Sequence, residues 1–301
     1  MTDARILSLI ETFAPSSRLV RSWPLTGGIS AQMTAFEAQS SEGELRRFIV
    51  RQPSRYRFAR FPGVAATEFQ TLTLLREAGL PVPPPVLLDE GADPVFVVEY
   101  LEGKPELAPM DVSRYLDRYA EMLARVHRVD WTRIDLSFLP LQGRGYGSRP
   151  EAPNESLRES EIRDVLKTNS IKGGNSPVLC HADFWPGNLI WRDGEIAGVI
   201  DWEEAEIGEP LADLAICRLD LFWVLGMEAM EAFTERYQDR MSLDLTDLPY
   251  WDLCASLRPI QNLHEWAPSY PNLERPDVTE ATMRRDHQAF VEQALHALSG
   301  D

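Results

Sequence analysis

The stretch His181-Ala-Asp-Phe-Trp-Pro-Gly-Asn188, followed shortly by Val199-Ile-Asp201-Trp202, constrains this chain more than any other. An apolar run, Val178-Leu-Cys, leads into it. Two more, Asn188-Leu-Ile-Trp and Ile196-Ala-Gly-Val-Ile, follow and are separated by the turn pair Asp193-Gly194. That alternation predicts a strand, a short loop and then a hairpin. Asp183 and Asn188 share the loop and Asp201 ends the hairpin, so strand pairing can gather three oxygen-bearing side chains.

Such a set matches what a magnesium nucleotide site needs. Magnesium takes hard oxygen ligands and keeps substrate phosphates and waters in its shell, so one amide oxygen and one carboxylate suffice from the protein. A separate carboxylate must accept or orient the proton of an attacking hydroxyl.

Composition narrows the classes further. The 301 residues include 30 Lys+Arg against 47 Asp+Glu, a formal charge of -17, with 44% hydrophobic and 26% charged residues. This composition is globular, for one large domain or two lobes, and excludes disorder, collagen and coiled coil. So negative a chain repels a phosphate backbone, so neither nucleic acid nor an anionic membrane is an expected partner. Cys180, Cys217 and Cys254 lie far apart with no CxxC pair, which argues against a disulfide scaffold or a zinc site and points to a reducing compartment, the cytoplasm. Met1 to Ile10 carries no apolar signal core, and no run of about eighteen apolar residues occurs, so neither Sec export nor a membrane span is expected.

Along the chain, Ala4 to Phe13 predicts a short amphipathic helix, and Trp23 to Val50 predicts strands around a Gly27-Gly28 turn. Val64 to Ala78 reads as a helix ended by Gly79. The prolines from Pro81 to Pro85 follow, which no helix or central strand can cross. Pro94 to Leu101 is a strand, and Val112 to Val126 is a helix whose apolar face includes His127 as a hydrogen-bonded core histidine. Gln142 to Pro153 and Lys172 to Pro177 read as loops. From about Pro210 the pattern is helical, with breaks near Pro249, Pro259, Pro268, Pro271 and Pro276.

The motif HADFWPGN followed by VIDWEEAEIGEPLADLA resembles the aminoglycoside phosphotransferase and choline kinase superfamily, whose fold is similar to that of eukaryotic protein kinases. The resemblance runs from about Gly27 to the helices past Asp213. It implies an α+β, protein-kinase-like two-lobed fold: a small N-terminal antiparallel-sheet lobe binding nucleotide (1–100) and a larger, mainly helical C-terminal lobe binding the acceptor (101–301). It implies Asp183 as catalytic base, Asn188 and Asp201 as magnesium ligands, and His181 as support for the catalytic loop. Asp213 would brace that loop from a following helix. Ala182 stands where the family often shows glycine, a change expected to matter little.

The N-terminal part can be read beside that resemblance. On a helical wheel Glu68 shares an arc with Ala65, Leu72, Leu75 and Gly79, and a carboxylate in an apolar stripe needs a cation. Arg51, at the end of Phe48-Ile-Val-Arg, is the expected partner, standing where a kinase-like strand presents its phosphate-binding lysine. The chain's three lysines, Lys104, Lys167 and Lys172, all lie later. Gly27, Gly28 and Ser30 would cover the nucleotide phosphates through backbone N–H groups and the Ser30 hydroxyl. Backbone groups from Glu99 through Tyr100 to Leu101 would meet adenine. Trp185 and Trp202 would line the acceptor pocket, with Glu203, Glu204 and Glu206 attracting an amine.

These readings converge on an ATP- and Mg2+-dependent phosphotransferase acting on a hydroxyl of a small molecule, including amine-bearing or antibiotic acceptors. GTP could replace ATP without a visible trace. The alternative is a catalytically silent kinase-like protein that binds nucleotide or a small ligand. The acceptor's identity and the oligomeric state leave no motif.

Overall fold

A computed structural model of the chain describes residues 1–25, 31–143 and 150–299. The chain divides into two compact units, Met1–Glu102 with Ala197–Glu203, and Gly103–Ile196 with Glu204–Asp301.

The first unit is built on an antiparallel sheet. It contains α1 (Asp3–Phe13), β1 (Arg18–Leu25), β2 (Ala31–Gln39), β3 (Leu45–Pro53), α2 (Arg55–Arg60), α3 (Val64–Glu77), β4 (Pro85–Asp89) and β5 (Val95–Glu99). The strand order is β1-β2-β3-β5-β4. Thr2 caps α1, and the helical spacing of Ile6, Leu9 and Ile10 sets them against Phe36, Phe48, Val50, Val95 and Val97. In α3, Ala65, Glu68, Leu72 and Leu75 are buried, and Gly79 at φ 84° terminates the helix as only glycine does easily. Strand β4 begins at Pro85, the last proline of the stretch that no helix or central strand can cross. It forms because it is the sheet's edge, where Pro85 as first residue lacks only a donor that no neighbour requires. The register sets Met33 opposite Arg51 and Phe48 opposite Glu99, placing Arg51 near the end of β3.

The second unit is mainly helical. It contains α4 (Val112–His127), α5 (Glu159–Thr168), β6 (Val178–Cys180), β7 (Leu189–Arg192), the first two residues of β8 (Glu195–Val199), β9 (Glu206–Gly208), α6 (Pro210–Leu225), α7 (Met227–Met241), α8 (Leu248–Ser256), α9 (Leu263–Trp266) and α10 (Glu280–Ser299). Strands β7 and β8 form a two-stranded sheet turned at Asp193-Gly194, whose residues both have positive φ. Helix α6 is buried along almost its whole length, and Tyr119 packs against Phe184 and Phe233. Pro249 begins α8 instead of breaking it, since the first turn requires no partner for its missing N–H. Among the described residues no helix is long and apolar enough to cross a membrane.

Candidate active site

In the second unit, β6 pairs antiparallel with β9, Cys180 opposite Glu206, and the loop beginning at His181 follows directly. Asp213, in the first turn of α6, is fully buried and fixes this loop. Its Oδ2 accepts from the His181 backbone N–H and its Oδ1 from that of Ala182, both at 2.7 Å. Its Oδ2 also lies 3.2 Å from His127 Nε2, whose Nδ1 is 2.5 Å from the Tyr237 hydroxyl. Burial pushes the Asp213 carboxyl up, but His127 and the loop outweigh it and hold the group below the usual carboxylate range. His127 is thus the hydrogen-bonded core histidine its helix position predicts.

The loop itself is tightly wound. Ala182 takes φ 63°, the left-handed region that favours glycine, so its side chain is not neutral here. The Asp183 N–H donates to His181 Nδ1 at 3.3 Å. Asn188 donates through Nδ2 to the Asp183 carbonyl at 2.9 Å and to its Oδ2 at 3.1 Å, leaving the amide oxygen of Asn188 as a hard ligand. The Trp185 indole lies over Gly187, where any Cβ would meet the ring at 2.1 Å, and its edge approaches Tyr270.

In the first unit, Arg51 is 7% exposed and gathers three carboxylates. Its Nε is 2.9 Å from Glu68, close but off-line for a hydrogen bond, while its Nη2 is 2.5 Å from Asp201 and 3.1 Å from Glu203. Burial opposes the charge, yet the three anions raise the guanidinium's pKa and keep it ionised. The same burial pushes the Glu68 carboxyl up to about 8 against the pull of Arg51. Asp201 sits at φ 66°, a left-handed residue after β8. Each by itself, the Asn188 amide oxygen in the second unit and the Asp201 carboxylate in the first, is a hard oxygen donor of the kind magnesium takes.

The sequence-predicted residues therefore fall into two groups: His181, Asp183 and Asn188 on one loop of the second unit, and Arg51, Glu68 and Asp201 together in the first. Gly27, Gly28 and Ser30 lie outside the described residues. At the end of β5 the Glu99 N–H donates to Pro84 and the Tyr100 N–H to Arg47, so only Leu101 of that trio has an N–H without a backbone partner among the described residues. Two expectations for the acceptor pocket fail. Trp202 is 1% exposed with its indole N–H on the Val199 carbonyl, a core residue. Glu203 is taken by Arg51 and Glu206 accepts from Gln142 at 2.8 Å, so neither stands open to an amine.

Sequence reading missed Arg258. It follows α8 and makes a close ion pair with Asp183 Oδ1. The pair joins residues 75 positions apart, and Leu-Arg-Pro-Ile is no motif, so no local signal marks it.

The sheet-bearing unit and the helical unit with its His-x-Asp loop define a protein-kinase-like α+β fold. The sequence profile of the phosphotransferase enzyme family (APH) matches residues 24–252, and the chain belongs to that family. Among curated proteins it is similar to acyl-CoA dehydrogenase family member 11 of Homo sapiens, 27% identical over an alignment 183 residues long that covers 52% of this chain and 23% of that protein. It is also similar to homoserine kinase of Polaromonas naphthalenivorans (strain CJ2), 27% identical over an alignment 178 residues long that covers 54% of this chain and 55% of that one. The chain thus spans less than a quarter of the first relative's length. Among solved structures, the macrolide 2'-phosphotransferase of Brachybacterium faecium superposes with a TM-score of 0.63 at 17% identity, covering 94% of this chain and 98% of that one. Spectinomycin phosphotransferase, solved with ADP and spectinomycin, gives 0.65 at 12% identity, covering 99% of each. Both share the fold.

Proposed function

We propose that the chain transfers the γ-phosphoryl group of ATP, with magnesium, to a hydroxyl of a small molecule in the cytoplasm. The observation that carries this reading is the Asp183 loop. Its two leading amides are pinned by buried Asp213 and its carboxylate is steered by Asn188, the pre-organisation a base requires and a turn does not. The family membership and the phosphotransferase folds it resembles support the same reaction class.

In this mechanism the acceptor hydroxyl approaches Asp183, which orients it and takes its proton. The oxygen attacks the γ-phosphorus in line and ADP leaves. Arg51, held by Glu68, supplies a fixed positive charge for the donor phosphates. Magnesium, held by the Asn188 amide oxygen and the Asp201 carboxylate, would neutralise phosphate charge. Leu101 offers its backbone N–H to adenine.

The test has two parts. Calorimetry with ATP and with GTP should show magnesium-dependent binding in the wild type that Asp201→Ala loses. Asp183→Asn should keep nucleotide binding while turnover falls by about two to four orders of magnitude, the usual worth of a general base. The acceptor panel includes aminoglycosides, macrolides, choline, sugars and the hydroxy amino acid named by one relative, homoserine. Comparable turnover in Asp183→Asn removes that residue from the base role.

One observation favours the second reading, a silent binding protein: arginines hold both Asp183 and Asp201. Transfer of radiolabel from ATP to any member of the panel eliminates it.

A further inference from the structure

Both carboxylate oxygens of Asp183 are engaged. Oδ2 accepts from Asn188, and Oδ1 is closely paired with Arg258 Nη2. Each oxygen keeps a second lone pair, but the close guanidinium competes with an incoming hydroxyl for Oδ1, so that oxygen opens fully only if a partner moves. Asn188 is buried and also tied to the Asp183 backbone, whereas the Arg258 side chain is 28% exposed and projects from the end of a helix.

Arg258 also has somewhere to go. Asp220, on α6, is 5% exposed, and its Oδ2 is buried with no hydrogen-bond partner among the described residues. That oxygen lies 3.9 Å from Arg258 Nη1, about one ångström beyond hydrogen-bond distance. Burial, with the Asp183 charge adding to it against the pull of Arg258, pushes the Asp220 carboxyl up to about 7, as fits an anion only partly neutralised at that distance. A buried acceptor left without a donor is costly, so the guanidinium gains a hydrogen bond at Asp220 for what it gives up at Asp183.

We propose that Arg258 is a positioning residue with two seats: on Asp183 in the state seen here, and on Asp220 while the reaction runs. The inference rests on Asp183 being the base proposed above. With Arg258 on Asp220, Asp183 Oδ1 is open. The acceptor O–H gives it a proton as the acceptor oxygen bonds the γ-phosphorus and the bond to departing ADP breaks. Arg258 stays one side chain away, its charge still countering the carboxylate cluster.

Two measurements decide it. In a crystal structure of Asp183→Asn, where the first seat has lost its charge, Arg258 Nη1 should be within about 3.2 Å of Asp220 Oδ2. A guanidinium that remains beside residue 183 overturns the proposal. In steady-state kinetics with ATP and an accepted hydroxyl compound, Asp220→Asn should lower kcat about tenfold or more with acceptor KM and nucleotide Kd unchanged, because only the reactive arrangement needs the second seat. Arg258→Lys should recover part of the kcat lost in Arg258→Gln, and it serves if Asp220→Asn does not fold. A folded Asp220→Asn protein with wild-type kcat, or Arg258→Lys no better than Arg258→Gln, sinks the clamp alone. A wild type that transfers phosphate to no acceptor sinks the phosphotransferase reading first and the clamp with it.

Discussion

Ala182 holds a backbone angle that alanine adopts at a cost of about 1–2 kcal/mol relative to glycine, while glycine's freer unfolded chain returns about 0.4–1 kcal/mol of that. Ala182→Gly should therefore raise stability by about 0.5–1 kcal/mol in urea titrations, the opposite of the usual effect of adding a glycine. Arg51 makes the converse point. Its guanidinium reaches Glu68 through one nitrogen and Asp201 and Glu203 through another, and a lysine ammonium cannot span all three. Arg51→Lys should cost about 1–3 kcal/mol in the same assay even though charge is kept. The Arg51–Glu68 contact was readable from sequence because a carboxylate in an apolar stripe announces its need for a cation. Arg258 and Asp220 were not, because their partners come from distant segments and nothing nearby in sequence reports a tertiary ion pair. Trp202 misled for a related reason: adjacency to Asp201 says nothing about which way an indole turns.

Helices with strong periodicity were legible, as α3 and α4 show, and so was the β7–β8 hairpin with its Asp-Gly turn. Strand β4 was hidden by the prolines that lead into it, because only the sheet order reveals that it lies at an edge. Pairing between separate segments leaves similar local demands. Gly103 sits at φ 136°, and a Cβ there would lie 2.3 Å from the Trp191 carbonyl, where Lys104 and Trp191 exchange backbone hydrogen bonds. Gly103→Ala should cost about 2 kcal/mol or more, seen as a lowered melting temperature. Helix α10 meets α8 through His287, whose Nε2 is 2.8 Å from the Ser256 carbonyl. Burial, together with nearby Arg284 and Arg158, lowers the His287 pKa against the pull of that carbonyl. The unfolded histidine takes a proton below about pH 6.5 and the folded one resists, so stability is full above that pH and falls as pH drops toward the folded value. His287→Gln should flatten the fall in melting temperature between about pH 7 and pH 5.5; an unchanged slope would assign the acid sensitivity elsewhere.

A formal charge of -17 also acts on the chain as a whole. Self-repulsion of that size disfavours the compact state and is screened by salt, so the melting temperature should rise from low ionic strength and level off near ~0.15 M, where the screening length is about 8 Å. A flat salt response would mean that the ion pairs gain from low salt as much as the net charge loses. The composition foretold that balance, but it could not foretell how the chain is shared between the two units. Residues Ala197–Glu203 belong with Met1–Glu102, although more than ninety residues of the other unit intervene. During synthesis, then, the Arg51 carboxylate cluster cannot be completed when the first sheet leaves the ribosome. Until Asp201 and Glu203 emerge, Arg51 has only Glu68 of its three anions, and the nascent first unit must wait for the other's opening half before its own last segment arrives.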